Sequence, residues 1–191
     1  MVQIILVRPG STDFDEQQRI IGTLDIPLNA QGDTEVARLV DELADRPIEA
    51  IYSPPGEPAF RTADIIAEAL RIKHKKVDGL LNVNQGLWQG MKVEEVRRKH
   101  PKVYRQWQEQ PESVCPPDGE MLDQAEKRMR AAMTKILKRH KQGTIAVVVS
   151  EPMASLVRRF ADNSQLGDLW KAGEIHGQWE LLDMTPKLIA Q

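Results

Sequence analysis

Cysteine is nearly absent from this chain of 191 residues: Cys115 is the only one. A single thiol cannot close an internal disulfide, so nothing in the sequence demands an oxidising compartment. Aromatic residues are sparse at 5%. A large charge of either sign is also missing, since the formal net charge is −2. That balance removes any bulk electrostatic attraction to nucleic acid or to an anionic membrane. No apolar run approaches the roughly 20 residues that span a bilayer. The first strand-like segment has no basic stretch before it and no small-residue cleavage site after it, so it reads as a strand and not as a signal peptide. A cytoplasmic protein is the default expectation.

What is present is ordinary for a globular domain, with 41% hydrophobic and 28% charged residues. A chain of this length buries about 70% of its unfolded surface. The expectation is one domain over 1–191, with 91–121 as a helical or lid-like insertion. Residues 2–10, VQIILVRPG, are organising. The run is apolar on both faces, which suits a central strand covered by helices. It ends by delivering one charge, Arg8, to a turn at Pro9-Gly10, and ligands of open α/β sheets sit at such strand ends.

The remaining pattern alternates. Asn29 is a candidate N-cap for a helix over 31–44 with Val36, Leu39, Val40 and Leu43 on one face. AIYS at 50–53 reads as a second buried strand, and 58–70 as a helix with Pro58 in its first turn. A weak third strand is expected over 76–81, then a loop at 82–90. Short helices follow at 93–99 and 102–109, and an irregular, proline-rich segment at 110–121, of the kind that forms lids. The longest helix is predicted over 122–141, stopped by Gly143. TIAVVV at 144–149 is a second fully apolar strand, followed by Ser150-Glu151-Pro152 and a helix to residue 160. An edge strand over 175–184 closes the chain. Strand and helix in alternation predict an α/β fold: a three-layer sandwich with a mostly parallel central sheet flanked by helices.

The basic clusters at 71–76, 97–102 and 138–141 fall at predicted helix ends, where positive charge suits the helix dipole, and read as solvated ends. His74, His100 and His140 lie in these clusters and are expected in solvent. His176, in the last strand, is expected to be structural. Trp88, Trp107, Trp170 and Trp179 are expected to pack rather than to form a stacking platform.

Six segments in fixed order carry a family resemblance: LVRPGST, RIIGTLDIPLNAQG, AIYSPPGEPAFRTADIIAEAL, LLNVNQGLWQG, CPPDGEML and TIAVVVSEP. The chain resembles the histidine phosphatase superfamily, the phosphoglycerate mutase-like enzymes. There the segments read L-V-R-H-G-E-T, R-x-x-G-x-x-D-x-P-L-x-x-x-G, Y-S-S-P-L-x-R-A-x-Q-T-A, L-x-E-x-x-x-G-x-W-E-G, P-x-G-E-S and V-x-V-V-S-H-G. The resemblance implies a phosphoglycerate mutase-like fold with a pocket at the strand ends carrying Arg8 and Ser150. It also implies a mechanism in which a histidine becomes a phosphohistidine, two arginines, a second histidine and an asparagine grip the phosphoryl group, and a glutamate is the general acid.

This chain departs from that pattern at five of those positions. Pro9 stands at the nucleophile, and its tertiary amide nitrogen has no usable lone pair. Glu151 stands at the second histidine, where a carboxylate repels phosphate. Pro58 replaces the second arginine, Asp15 the asparagine, and Asn82 the general acid. Arg8 remains, with Gly10 beside it. Each lost charge-assisted hydrogen bond removes roughly 1.5–3 kcal/mol. Arg61, one helical turn beyond Pro58, is the one candidate for a compensating anion contact.

The expectation is therefore a pseudophosphatase, with no catalytic residue and no cofactor, acting through an unidentified small ligand or protein partner. The exposed edge strand permits a homodimer. The alternative is a repurposed enzyme in which Asp15 and Glu151 face each other across Arg8 as acid and base or as ligands of a divalent cation. Against it stands a plain salt bridge from Arg8 to one or both carboxylates. Residual phosphoryl transfer, with His176 as a relocated nucleophile, is the least favoured reading.

Overall fold

The computed structural model describes residues 2–184. A five-stranded sheet forms its centre, in the order β3-β2-β4-β1-β5. Strands β1 (Val2–Val7), β2 (Ile48–Ser53), β3 (Lys73–Lys76) and β4 (Gly143–Val148) run parallel to one another. β5 (Trp179–Asp183) runs antiparallel on the outer side of β1. The sheet is thus a mixed α/β sheet, mostly parallel as the alternation predicts.

The apolar strands split their side chains between two cores, because successive residues of a strand point to opposite faces. Ile5, Val7, Ile51, Ala146 and Val148 pack beneath α2 (Ala30–Leu43) and α3 (Ala59–Leu70). Ile4, Leu6, Tyr52, Ile145 and Val147 face α6 (Leu122–Leu137) and α7 (Met153–Asp162). Asn29 caps α2 by accepting from the Gly32 N–H at 2.9 Å. Four further helices, α1 (Asp13–Glu16), α4 (Val93–Lys99), α5 (Pro101–Glu109) and α8 (Leu169–Ala172), lie among the connections. Among the described residues no helix is long and apolar enough to cross a membrane.

Three boundaries differ from the sequence expectation. The third strand is Lys73–Lys76, earlier than 76–81, where a 3₁₀ turn at Asp78–Leu80 follows instead. Its KHKK sequence has no apolar alternation, yet lysines are a common protection for a sheet edge, and His74 anchors it by bonding the Ser53 Oγ of β2 at 2.8 Å. α6 ends at Leu137 rather than 141, and Gly143 opens β4 instead of closing the helix. The last strand begins at Trp179, because the chain turns at Gly177, with φ of 58°, before joining the sheet.

His74 and His140 also differ from expectation: neither is solvated. Their side chains are 10% and 11% exposed. His74 bridges Ser53 and Asp64, the latter at 3.4 Å. His140 bridges the Tyr52 hydroxyl at 2.8 Å and Glu49 at 3.1 Å. Both fix β2 to its surroundings, which the charged context of each histidine hides in the sequence. The Ser53–His74–Asp64 order resembles a hydrolase triad, but Ser53 is fully buried and donates to the Pro54 carbonyl, so no substrate reaches it. His100 is exposed as expected.

Candidate functional site

Parallel β1 and β4 end side by side, and Val149 still donates to the Val7 carbonyl at 3.1 Å. The turns that follow, at Arg8–Ser11 and Ser150–Pro152, therefore open at the same edge of the sheet, the place where α/β folds bind ligands. A cavity of about 600 Å³ lies there. Pro9, Gly10, Asp15, Pro58, Ser150 and Glu151 line it. The first turn is held by its backbone. Arg8 N donates to Gln178 O at 2.8 Å, and Gly177 N donates to Pro9 O at 2.7 Å. A Cβ at Gly10 would stand 2.6 Å from the Gly32 carbonyl oxygen, and one at Gly32 would stand 2.1 Å from Ser11 O. Only glycine permits both approaches.

Arg8 does not line the cavity. Its guanidinium is 4% exposed and bonds two carboxylates, Glu151 through Nε at 3.1 Å and Glu180 through Nη1. Arg158 reaches Glu180 as well, at 3.1 Å. Glu151 is equally committed: its second oxygen accepts from Ser155 N at 3.0 Å and Ser155 Oγ at 2.6 Å. The Arg8 Nη2 atom is buried without a hydrogen-bond partner among the described residues. Of the anion grip implied by the resemblance, the remaining arginine is thus neutralised from both sides.

Asp15 does not meet Arg8. Its Oδ2 accepts from the Thr12 N–H at 2.7 Å and hydroxyl at 2.8 Å, closing a capping box on α1. Burial pushes its carboxyl above the usual range, and the Thr12 hydrogen bonds only partly offset this. Asp15 and Glu151 therefore both line the cavity, but not as a pair across Arg8. Among the described residues no group of three or more His, Cys, Asp or Glu is arranged to hold a metal ion.

Asn82 is buried beneath the site and does not line it. Its amide donates to Gly22 O at 3.1 Å and Glu151 O at 3.0 Å, while its oxygen accepts from Val83 N and Met153 N. It braces the β4 turn. Arg61 also lies outside the cavity lining; it is 52% exposed and pairs with Asp64 at 3.4 Å.

His176 is the residue the sequence places least well. It precedes the last strand and lines the cavity. Its Nε2 faces the Glu35 carboxylate at 3.8 Å, and its Nδ1 is buried with no hydrogen bond among the described residues. Glu35 itself is buried. Burial raises its pKa, but hydrogen bonds from the Ser11 hydroxyl at 2.7 Å, the Ser11 N–H at 2.8 Å and the Gln31 amide at 3.2 Å, with His176 nearby, together hold it below the usual range.

The opposite wall comes from the 91–121 segment and α8. Val93, Tyr104, Trp107 and Trp170 line it. Trp88 and Trp107 are buried and meet edge-on at 6.2 Å, as packing residues do. Trp170 does more than pack: it stacks on Tyr104 at 5.1 Å with the rings 7° from parallel. Gln108 ties α5 to α8 through Asp168 at 2.6 Å. Glu180, Glu35, Tyr104 and Gln85 are site residues that sequence reasoning missed. Glu180 alone left a signal, as an acid set between Trp179 and Leu181 in the last strand.

Comparison with known proteins agrees with this architecture. The pattern of the histidine phosphatase superfamily (branch 1) matches residues 4–187. The chain is 35% identical over 188 residues to phosphoserine phosphatase 1 of Hydrogenobacter thermophilus, covering 98% of this chain and 89% of that one. It is 30% identical over 170 residues to the bifunctional protein Rv2228c of Mycobacterium tuberculosis, covering 88% of this chain and only 46% of that protein. Among solved structures, Bacillus stearothermophilus YhfR superposes with a TM-score of 0.83 at 23% identity, over 95% of this chain and 90% of that one. The fold and the site's position thus define a phosphoglycerate mutase-like α/β protein. The chain belongs to the histidine phosphatase superfamily, branch 1.

Proposed function

We propose that this chain is a pseudophosphatase: it keeps the superfamily's pocket but binds a ligand there without phosphoryl transfer. The observation that carries this reading is the state of Arg8, held by Glu151 and Glu180 and absent from the cavity lining, beside a proline in the nucleophile's place. Pro9 offers no lone pair to phosphorus. Asn82 offers no transferable proton and is used to brace the backbone. The repurposed-enzyme alternative is less supported, because Asp15 is spent on Thr12 and Glu151 on Arg8 and Ser155.

The relative named phosphoserine phosphatase 1 supplies the substrate for the test. Purified protein is assayed with phosphoserine and with an aryl phosphate, with and without Mg²⁺ or Mn²⁺, and is examined for acid-labile phosphoprotein. No turnover and no phosphoprotein are expected. Turnover lost in His176→Ala would establish a relocated nucleophile, and turnover that needs the cation and is lost in Asp15→Asn would establish the carboxylate chemistry. Either result overturns the reading.

A further inference from the structure

Two basic clusters that lie far apart in the sequence meet at one edge of the sheet. Lys73, Lys75 and Lys76 belong to β3, the outermost strand beside β2. Lys138, Arg139 and Lys141 flank His140, just past the end of α6. The two groups share Tyr52: His140 bonds its hydroxyl at 2.8 Å, and the Lys75 ammonium lies over its ring at 5.6 Å. Among the described residues none of these six cations enters an ion pair. Acids on the adjoining elements are spent elsewhere, Glu49 on His140 and Asp64 on Arg61 and His74. A chain with a net charge of −2 thus carries a positive surface here, exposed except at the half-buried Lys75.

A second observation is independent of charge. Val77 N donates to Ser53 O at 2.8 Å. Backbone groups of successive strand residues point to opposite sides, so Lys73 and Lys75 turn theirs toward β2, and His74 and Lys76 turn theirs away from the sheet. No strand lies beyond β3, and among the described residues nothing bonds those outward amides and carbonyls. Side chains alternate too: Lys75 reaches Tyr52 on one face, and the Lys76 ammonium lies 5.5 Å over Phe60 on the other. The open edge is rimmed by lysine on both faces. A second copy of this chain does not suit it, because β3 paired with itself sets lysine against lysine.

We propose that β3 accepts an extended acidic segment of a partner protein as a further strand of the sheet. The main chain of that segment bonds His74 and Lys76, and its carboxylates meet Lys73, Lys75 and Lys76, while the cluster beside His140 extends the attraction. None of these residues lines the cavity, so the inference is independent of what the pocket binds or turns over.

The test is fluorescence anisotropy of the full chain with a labelled peptide of about ten residues alternating glutamate and threonine, which combines negative charge with strand propensity. Three comparators run beside it: the same peptide with every backbone amide N-methylated, its lysine–threonine counterpart, and single-stranded oligothymidylate. The acidic peptide is expected to bind about tenfold or more tighter than each comparator, and to weaken severalfold between about 50 and about 300 mM salt. On binding, amide hydrogen exchange is expected to slow at His74 and Lys76 and to stay unchanged at Lys73 and Lys75, which already face β2. Lys73→Gln combined with Lys76→Gln is expected to weaken the peptide about fivefold, with circular dichroism unchanged. Lys102→Gln, on α5, is expected to leave binding as it was. No binding of the acidic peptide, equal binding of the N-methylated one, no added protection at His74 and Lys76, or full affinity in the double variant overturns the proposal. Tighter binding of oligothymidylate overturns it in favour of a nucleic-acid surface.

Discussion

Glu180 stands opposite Leu6 in the antiparallel ladder between β5 and β1, and its carboxylate bonds the guanidinium of Arg8 two residues along the same face. An arginine at the end of a central strand is thereby paired by the edge strand beside it. With Glu151 on its other side, Arg8 is part of the scaffold.

Removing Glu151 exposes that dependence. Its side chain is 3% exposed, and Arg8 would keep only Glu180. Breaking a buried pair by truncating one partner costs about 3–5 kcal/mol. Glu151→Ala is expected to fall at the lower end, about 3 kcal/mol, because the cavity lets water reach the vacated position. A thermal melt reads this as a loss of about 6–12 °C. Inorganic phosphate is expected to restore part of the loss in Glu151→Ala and to leave the parent protein unmoved. An equal phosphate shift in both would show that Arg8 is free to hold anions as it stands.

Arg61 is the contrasting case. It is exposed, and its partner Asp64 is half-exposed. Arg61→Ala is expected to change stability by less than about 0.5 kcal/mol in a denaturant titration. A larger loss would reveal a role that its position outside the cavity does not support.

The stack of Tyr104 on Trp170 joins α5 to α8. Trp170→Ala is expected to cost about 2 kcal/mol, less than a fully buried aromatic, since Trp170 is only half-buried. A double-mutant cycle with Tyr104→Ala should return a coupling of about 0.5–1.5 kcal/mol. Additive losses would mean the rings pack independently.

Glu35 and Asp15 give acid dependences of opposite sign. Glu35 is held below its ordinary value of 4.5, so it favours the native state above that pH, and the contribution is lost as pH falls through its folded value. Asp15 is raised above 3.8, so it weighs against the native state as pH rises through its folded value. Urea unfolding at a series of pH values is the measurement. Glu35→Gln is expected to flatten the loss of stability on acidification. Asp15→Asn is expected to unfold at higher urea than the parent at pH 7, and at the same urea as the parent below pH 3. Steeper acid loss in Glu35→Gln would contradict the first assignment, and a less stable Asp15→Asn at pH 7 the second.

The sheet was legible in the sequence because Val2–Val7 and Gly143–Val148 are nearly continuous apolar runs, and runs of that kind between amphipathic helices read as central strands. The positions of Pro9, Asp15, Pro58 and Glu151 on one cavity were legible through motif order. What they bond to was not. Glu180 reaches Arg8 across 172 residues of chain, and its partner is set by strand register, which depends on a turn at Gly177 that periodicity does not reveal. His74 and His140 were misread for a related reason: neighbouring lysines and arginines made each look solvated, while the hydroxyls of Ser53 and Tyr52, brought in by β2, bury them. Tyr104 and Gln85 carried no signal at all, since an aromatic on a short helix and a glutamine in a loop are ordinary until a cavity forms beside them.

The contact between Gly10 and Gly32 separates the pocket's shape from its chemistry. The path of the first turn is set by main-chain atoms touching main-chain atoms, with Ser11 against Gly32 and Pro9 against Gly177, and by the Thr62 hydroxyl and Glu35 carboxylate, which accept from the Gly10 and Ser11 N–H groups. None of these contacts involves the side chain at position 9, 15, 58 or 151. Side chains at those four positions can be exchanged around this opening as interchangeable fittings on a frame that does not register the change.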